Sequence, residues 1–379
     1  QIPRRRHSDI GRSQTVLAPC TMEKSLLVLP LLLLLPAFKE CAENQHFFEL
    51  PSVEFRKLTD QENDELNEIC GKLPHSSRKR TKVDNGALAR RNQFPWAAVI
   101  EEHDGENIKR ICSATLVSPR HAVTSAHCLF REDIYTPTCQ PDEVYKNISF
   151  YCEANDAYRN GDTYLAFGGI CHGAQFAEKD KGCEEDDLQR YPIVAVAAAR
   201  RWRDDCKNFD FAIVEISKDI EFDTDGGSLL PACLATEAFP LPQFASFAGW
   251  GRTKSENGKE GGEFRTQLRY ANGRIEADNI SERDRETARG LIHFWTKGIA
   301  DHEADAAELD EEATPGAALN YGDSGSGLIK RSCDYRTVVI GTASFTANYP
   351  NSYFSDVRSQ VRAVCDLTGI CAAERPCNY

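Results

Sequence analysis

Three short stretches carry side chains that could do covalent chemistry together. They are Val123-Thr124-Ser125-Ala126-His127-Cys128, Asp210-Phe211-Ala212-Ile213-Val214 and Gly322-Asp323-Ser324-Gly325-Ser326-Gly327. A serine hydroxyl is a weak nucleophile at its own pKa. It needs a base to take its proton and a buried carboxylate to orient that base. Ser324, His127 and Asp210 fill those roles on paper, and the chemistry they imply is acyl transfer. His127 would act as base, then as acid for the leaving amine, because a neutral imidazole near pH 7 suits both. Gly322 and Gly325 let the backbone turn tightly around the serine. The backbone N–H groups of Gly322 and Ser324 would then receive the oxyanion, each donor stabilising it by roughly 3–4 kcal/mol. Each residue alone has an ordinary reading. A histidine beside a cysteine is usually packing, an aspartate before an apolar run usually ends a strand, and Gly-Asp-Ser-Gly is an unremarked loop.

Taken together and in this order, the three stretches resemble the chymotrypsin/trypsin family of serine endopeptidases. Phe94-Pro95-Trp96 and Gly249-Trp250-Gly251 match further landmarks of that family. The resemblance implies an all-β fold of two Greek-key six-stranded β-barrels with a C-terminal helix, and peptide-bond hydrolysis through an acyl-enzyme. It implies disulfides between Cys112 and Cys128 and between Cys70 and Cys233, the latter tethering a pro-segment. Connectivity is not readable from one sequence, so other partners for Cys233 stay open. It also implies activation by a cut at Lys82–Val83, after which the new ammonium of Val83 pairs with buried Asp323. Asp84 departs from the family pattern, in which a second apolar residue follows the cut.

The specificity pocket is implied the same way. Ala318 stands six residues before Ser324, where trypsin-like members carry an aspartate. Thr346 stands where many members have glycine, and Ser344 matches a serine that supports the aspartate. A pocket without a buried anion has little reason to accept a cation. The expectation is small or medium apolar side chains before the scissile bond, elastase-like rather than trypsin-like. Asn320 replaces a family cysteine that braces this pocket, and Ser326-Gly327 replaces Gly-Pro. The rival reading is a catalytically inactive, protease-like binding protein.

The remaining chain suggests export. Met22 precedes Glu23-Lys24 and the apolar run Leu26 to Phe38, which is broken by Pro30 and Pro36. That run is short for a bilayer span and suits a signal-peptide core. The expected layout is a non-native or untranslated leader at 1–21, a signal peptide at 22–42, a pro-segment at 43–82 and the catalytic domain at 83–379. The pro-segment also looks like the leader of nematode trypsin-like peptidases. Fifteen cysteines fit an oxidising compartment. Asn147 and Asn279 head glycosylation sequons. The net charge of −13 argues against a nucleic-acid partner. The expected partners are a protein or peptide substrate, an activating protease and a protease inhibitor, for a secreted, extracellular protein with no membrane anchor. No cofactor and no metal site are expected, since no Cys-x-x-Cys pair occurs.

Short apolar runs at 97–100, 114–117, 211–216 and 338–343 read as strands. Val357, Val361, Val364 and Leu367 recur at helical spacing. Thr59 and Glu62 have capping-box spacing, predicting a short helix through Leu66.

Overall fold

The computed structural model describes residues 47–49, 55–73, 87–105, 107–129, 161–173, 183, 185–199, 209–224, 228–252, 264–276, 290–296, 317–347 and 351–374. In chain order the first strands are β1 (Phe47–Glu49), β2 (Ala87–Leu88), β3 (Ala97–Asp104), β4 (Asn107–Leu116), β5 (His121–Thr124), β6 (Thr163–Phe167), β7 (Gln189–Ala199) and β8 (Ala212–Ile216). They are followed by β9 (Cys233–Leu234), β10 (Phe244–Gly249), β11 (Arg269–Glu276), β12 (Leu291–Trp295), β13 (Gly327–Arg331), β14 (Thr337–Ala347) and β15 (Asn351–Asp356). Two α-helices frame them, α1 (Asp60–Ile69) and α2 (Val361–Thr368).

The strands close into two rings. One runs β7-β6-β3-β4-β5-β8 and closes by β8 pairing back on β7, with β1 added beside β7. The other runs β10-β13-β14-β15-β12-β11 and closes by β10 pairing with β11. Short β2 pairs with β11, and β9 pairs in parallel with β14. These are the two six-stranded barrels that the sequence implies. Closure leaves few strand edges unpaired.

The side-chain pattern explains the closure. In β12, Ile292 and Phe294 point inward while Leu291, His293 and Trp295 are half-buried, the period-2 alternation of a strand with one wet face. Phe247, Phe294 and Phe354 meet inside the second barrel with ring centroids 5.4–5.7 Å apart. Tilted and edge-to-face contacts of this kind add to what their burial alone gives. Every residue of β5 and β8 is buried, which suits the strands that lead into His127 and out of Asp210.

The helix expected near Thr59 forms and extends to Ile69. The Thr59 hydroxyl accepts from Glu62 N–H at 3.2 Å, and the Glu62 carboxylate accepts from Thr59 N–H at 2.7 Å. The expected C-terminal helix forms as well, burying Val364 and Leu367.

Residues 55–73 fall inside the span expected to be a pro-segment, and they are woven into the barrels. Phe55, Leu58 and Leu66 are buried in the common core. Cys70 pairs with Cys233 across 163 residues. Arg336 donates to the carbonyls of Asn67, Glu68 and Cys70, placing a cation at the end of α1 where free carbonyls collect. Arg56 donates through its backbone N–H at 2.7 Å and its side chain to Glu215, whose side chain is 1% exposed. It also reaches Ile216 O at 2.6 Å and Asp219 at 2.8 Å.

A buried carboxylate that loses its cation is strongly destabilising, less so where the cation is itself part-exposed, as Arg56 is at 42%. Arg56→Met should therefore cost about 2–3 kcal/mol with disulfides intact, as read by denaturant unfolding. A loss near zero would mean that the segment merely lies on the surface.

Candidate active site

The turn after β5 delivers His127. A short 3-10 turn, Ala126–Cys128, follows Ser125, and Cys128 is bound to Cys112 of β4. His127 is thus anchored on both sides, with its ring 15% exposed. Asp210 lies two residues before β8 and is fully buried. Its predecessor Phe209 sits at φ +61°, left-handed backbone that a bulky residue adopts only under external support. Part of that support is Gly290, against which the Phe209 ring packs so closely that a Cβ would meet it at 2.7 Å.

Asp210 Oδ2 faces His127 Nδ1 at 2.7 Å, and Oδ1 accepts from His127 N–H at 3.1 Å. Ser344 O–H donates to Oδ2 at 2.6 Å. Burial pushes this carboxyl up. The charge and hydrogen bond of His127, with the bonds from Ser344 and the His127 backbone, more than offset that and hold it below the usual carboxylate range. An ionised carboxylate only accepts, so the proton of the neutral ring sits on Nδ1 and Nε2 is the unprotonated nitrogen. Ser344 lies at a register shift between β14 and β15, and such an irregularity re-aims a side chain.

The loop carrying Ser324 is pinned from two directions. Gly325 N–H donates to Ala343 O at 2.8 Å, and Ser113 N–H donates to Ser324 O at 2.7 Å. Ser113 O–H donates to Gly322 O at 2.9 Å. Gly322 and Gly325 have φ of +95° and +82°. A Cβ on Gly325 would lie 2.1 Å from Thr124 Oγ1 and 2.3 Å from Ser113 O, so this loop presses directly on the strands that carry His127. Asp323 N–H is bonded to Asn320 O at 2.9 Å. Among the described residues, the flanking N–H groups of Gly322 and Ser324 have no protein partner. Two backbone donors on either side of Asp323 are therefore left without an acceptor within the described fold.

Asp323 is buried beneath the loop. It accepts from Gly251 N–H at 2.8 Å and Asn320 N–H at 3.0 Å. A Cβ at Gly251 would sit 2.3 Å from its carboxyl, which is why glycine follows Trp250. Burial pushes the Asp323 carboxyl up to about 6, against the pull of the two N–H groups and of Arg110.

Of the residues expected to line a specificity pocket, Ser344 is bonded to Asp210, and Thr346 is bonded to the neighbour of Ala318. Thr346 O–H donates to Leu319 O at 2.9 Å, Ser352 Oγ accepts from Leu319 N–H at 3.0 Å, and Thr296 O–H donates to Ala317 O at 2.7 Å. Ala318 sits half-buried between these braced neighbours. Three hydroxyls thus hold the segment in which Asn320 replaces a cysteine. Sequence reasoning missed Ser352, Thr296, Ser113 and Ser125, because single hydroxyls in or just after strands give no pattern. The expected pairs Cys112–Cys128 and Cys70–Cys233 both form. Cys171 also pairs with Cys183, and Cys365 with Cys371. Cys112, His127 and Cys128 cluster as potential metal donors, but both sulfurs are spent in the disulfide. Lys82, Val83, Asn147 and Asn279 lie outside the described residues.

Two family models match the chain. The nematode trypsin-6-like family matches residues 47–149, and the trypsin family matches residues 176–362. Transmembrane protease serine 9 of Rattus norvegicus is 26% identical over 210 residues, covering 55% of this chain and 16% of that protein. Serine protease filzig of Drosophila melanogaster is 22% identical over 282 residues, covering 73% of this chain and 13% of that protein. Spermosin of Halocynthia roretzi is 33% identical over 73 residues, 18% of this chain and 19% of that protein. The matches therefore span less than a fifth of each of these relatives. Among the described residues, no helix is long and apolar enough to cross a membrane.

The raised pKa of Asp323 sets a pH dependence. A carboxyl raised from 3.8 to about 6 binds its proton more tightly folded than unfolded. Its contribution to stability is therefore full below about 3.8 and is lost as pH rises through about 6, a change of about 3 kcal/mol. The difference in unfolding free energy between the uncut chain and its Asp323→Ala variant should narrow accordingly from pH 4 to pH 7. A difference independent of pH would contradict this assignment.

Proposed function

The chain belongs to the trypsin-like serine protease family, and from that premise we propose that it is a secreted serine endopeptidase, made as a zymogen, that cuts peptide bonds through an acyl-enzyme on Ser324. The observation that carries this reading is Asp210. Although fully buried, it is bonded by His127 Nδ1, His127 N–H and Ser344 O–H, an arrangement that orients a base.

In the proposed cycle His127 Nε2 takes the Ser324 proton as Oγ attacks the substrate carbonyl carbon. The carbonyl oxygen becomes an oxyanion held by the N–H groups of Gly322 and Ser324. Collapse expels the amine, which takes the proton from His127. Water then enters by the same route and releases the acid. Asp210 stays ionised throughout and stabilises the imidazolium. Four disulfides among the described residues support an oxidising compartment, hence export. The zymogen switch is read as a cut at Lys82–Val83, which frees an ammonium for Asp323. An ammonium there would relieve the burial of that carboxylate. The partners on this reading are a peptide substrate, an activating protease and a protease inhibitor.

A fluorophosphonate probe labels only an activated serine, so it tests the nucleophile directly. The purified protein cut after Lys82 should be labelled, Ser324→Ala should not, and Asp210→Asn should slow peptide turnover on the order of 10⁴-fold. A folded, correctly cut protein that takes no label would favour the inactive binding protein instead.

Pocket size makes a second expectation. Thr346 O–H is tied to Leu319 O, next to Ala318, so its side chain is held where the pocket wall is read. Thr346→Gly should raise kcat/KM for a large aromatic side chain before the scissile bond, relative to alanine, by about 10-fold or more. A profile of cleaved peptides dominated by Lys or Arg would overturn the pocket assignment.

A further inference from the structure

A line of buried charge runs from the first barrel to the carboxylate beneath the Ser324 loop. Arg110 of β4 is 2% exposed. Its guanidinium donates to the carbonyl oxygens of Trp250 and Arg265 and, at 2.6 Å, to His172 Nδ1. A guanidinium only donates, so that nitrogen is bare and the ring proton sits on Nε2. Nε2 donates to Glu101 Oε1 at 2.6 Å. Glu101 is itself held by Arg190 at 2.8 Å and by His103 at 2.9 Å. Arg110 is therefore fixed from behind by a row of hydrogen bonds that leaves it little room to turn.

On its other side stands one peptide group. The carbonyl of Trp250 accepts from Arg110, and the N–H of Gly251, in the same peptide, donates to Asp323 Oδ1 at 2.8 Å. A peptide dipole thus bridges cation and anion, each end facing its complement. The Arg110 guanidinium also lies over the Phe264 ring at 5.0 Å, and that ring packs against Gly322, where a Cβ would meet it at 2.9 Å. Arg110 therefore touches the loop's surroundings by two routes.

We propose that Arg110 is a positioning residue for the oxyanion loop, supplying in the uncut chain, through the Trp250–Gly251 peptide, part of the charge that Asp323 otherwise receives from the freed ammonium of Val83. The inference rests on the protease reading above and adds a regulatory consequence. The uncut chain has no ammonium at Val83, yet its loop is formed and bonded at Asn320, Ser113 and Ala343. Its activity is low and not zero, and cutting amplifies it instead of creating it.

The test measures fluorophosphonate labelling rates at Ser324 in the full chain, uncut with Lys82→Gln and cut in the wild type, each with and without Arg110→Leu. The uncut protein should label slowly. Arg110→Leu should slow that labelling by about 10-fold or more, and should slow the cut protein by no more than about 3-fold, because the ammonium replaces the lost charge. Arg110→Lys, which keeps the charge, should restore part of the uncut rate. The labelling of the cut Arg110→Leu form also shows that the variant folds. An equal loss in both forms would assign Arg110 a merely structural role and overturn the proposal. So would an uncut protein that takes no label while the cut protein does. Failure of both the cut and the uncut form with Arg110 intact to label would instead overturn the protease reading, and this inference with it.

Discussion

One backbone carbonyl, that of Ala343, sets the relative position of the three candidate residues. It accepts from Gly325 N–H at 2.8 Å, one residue after Ser324, and from Ser125 O–H at 2.5 Å, two residues before His127. The next residue, Ser344, holds Asp210 through its hydroxyl at 2.6 Å. A single stretch of β14 therefore touches all three arms. The arms come from different barrels: His127 and Asp210 extend β5 and β8 of the first, whereas Ser324 precedes β13 of the second. Neither barrel could fix that geometry alone. Both are closed, so their strands have little freedom to slide, and an accurate contact at Ala343 becomes an accurate contact everywhere.

The junction between the barrels is accordingly polar, and Arg110, His172 and Glu101 form one hydrogen-bonded row in it. Arg110, His172 and Glu101 are each no more than 2% exposed. Burying charge costs stability unless partners offset it. Burial lowers the affinity of Arg110 for its proton, to a pKa of about 9, but still leaves it cationic near neutral pH. Glu101 is held down at about 2, because His172, His103 and Arg190 more than offset its burial. The arrangement favours one alignment of the barrels over others, which a purely apolar junction would do less sharply.

The parts that were legible in the sequence are those with local signatures. The frames around His127, Asp210 and Ser324 needed only composition and order, and the capping box at Thr59–Glu62 and the helix of Val361–Thr368 needed only spacing. What was not legible consists of single residues whose partners lie far along the chain. Arg56 and Glu215 are 159 residues apart, Ser125 and Ala343 are 218 apart, and Arg110 and Trp250 are 140 apart. Nothing in a strand such as 107–116 marks one arginine as buried. The residues 55–73 show the same limit. Their leader-like position suggested a pro-segment held by one disulfide, while their packing depends on Leu58, Arg56 and Cys70 finding partners across the fold.

The most direct test of this account is a crystal structure of the protein with Ser324 phosphonylated. A phosphonyl oxygen is expected within hydrogen-bond reach of both Gly322 and Ser324 N–H, with His127 still on Asp210 and with Ser125 O–H and Gly325 N–H still sharing Ala343 O. An adduct whose oxygen points away from those two donors, or a loop that has left Ala343 while Ser324 remains reactive, would contradict it.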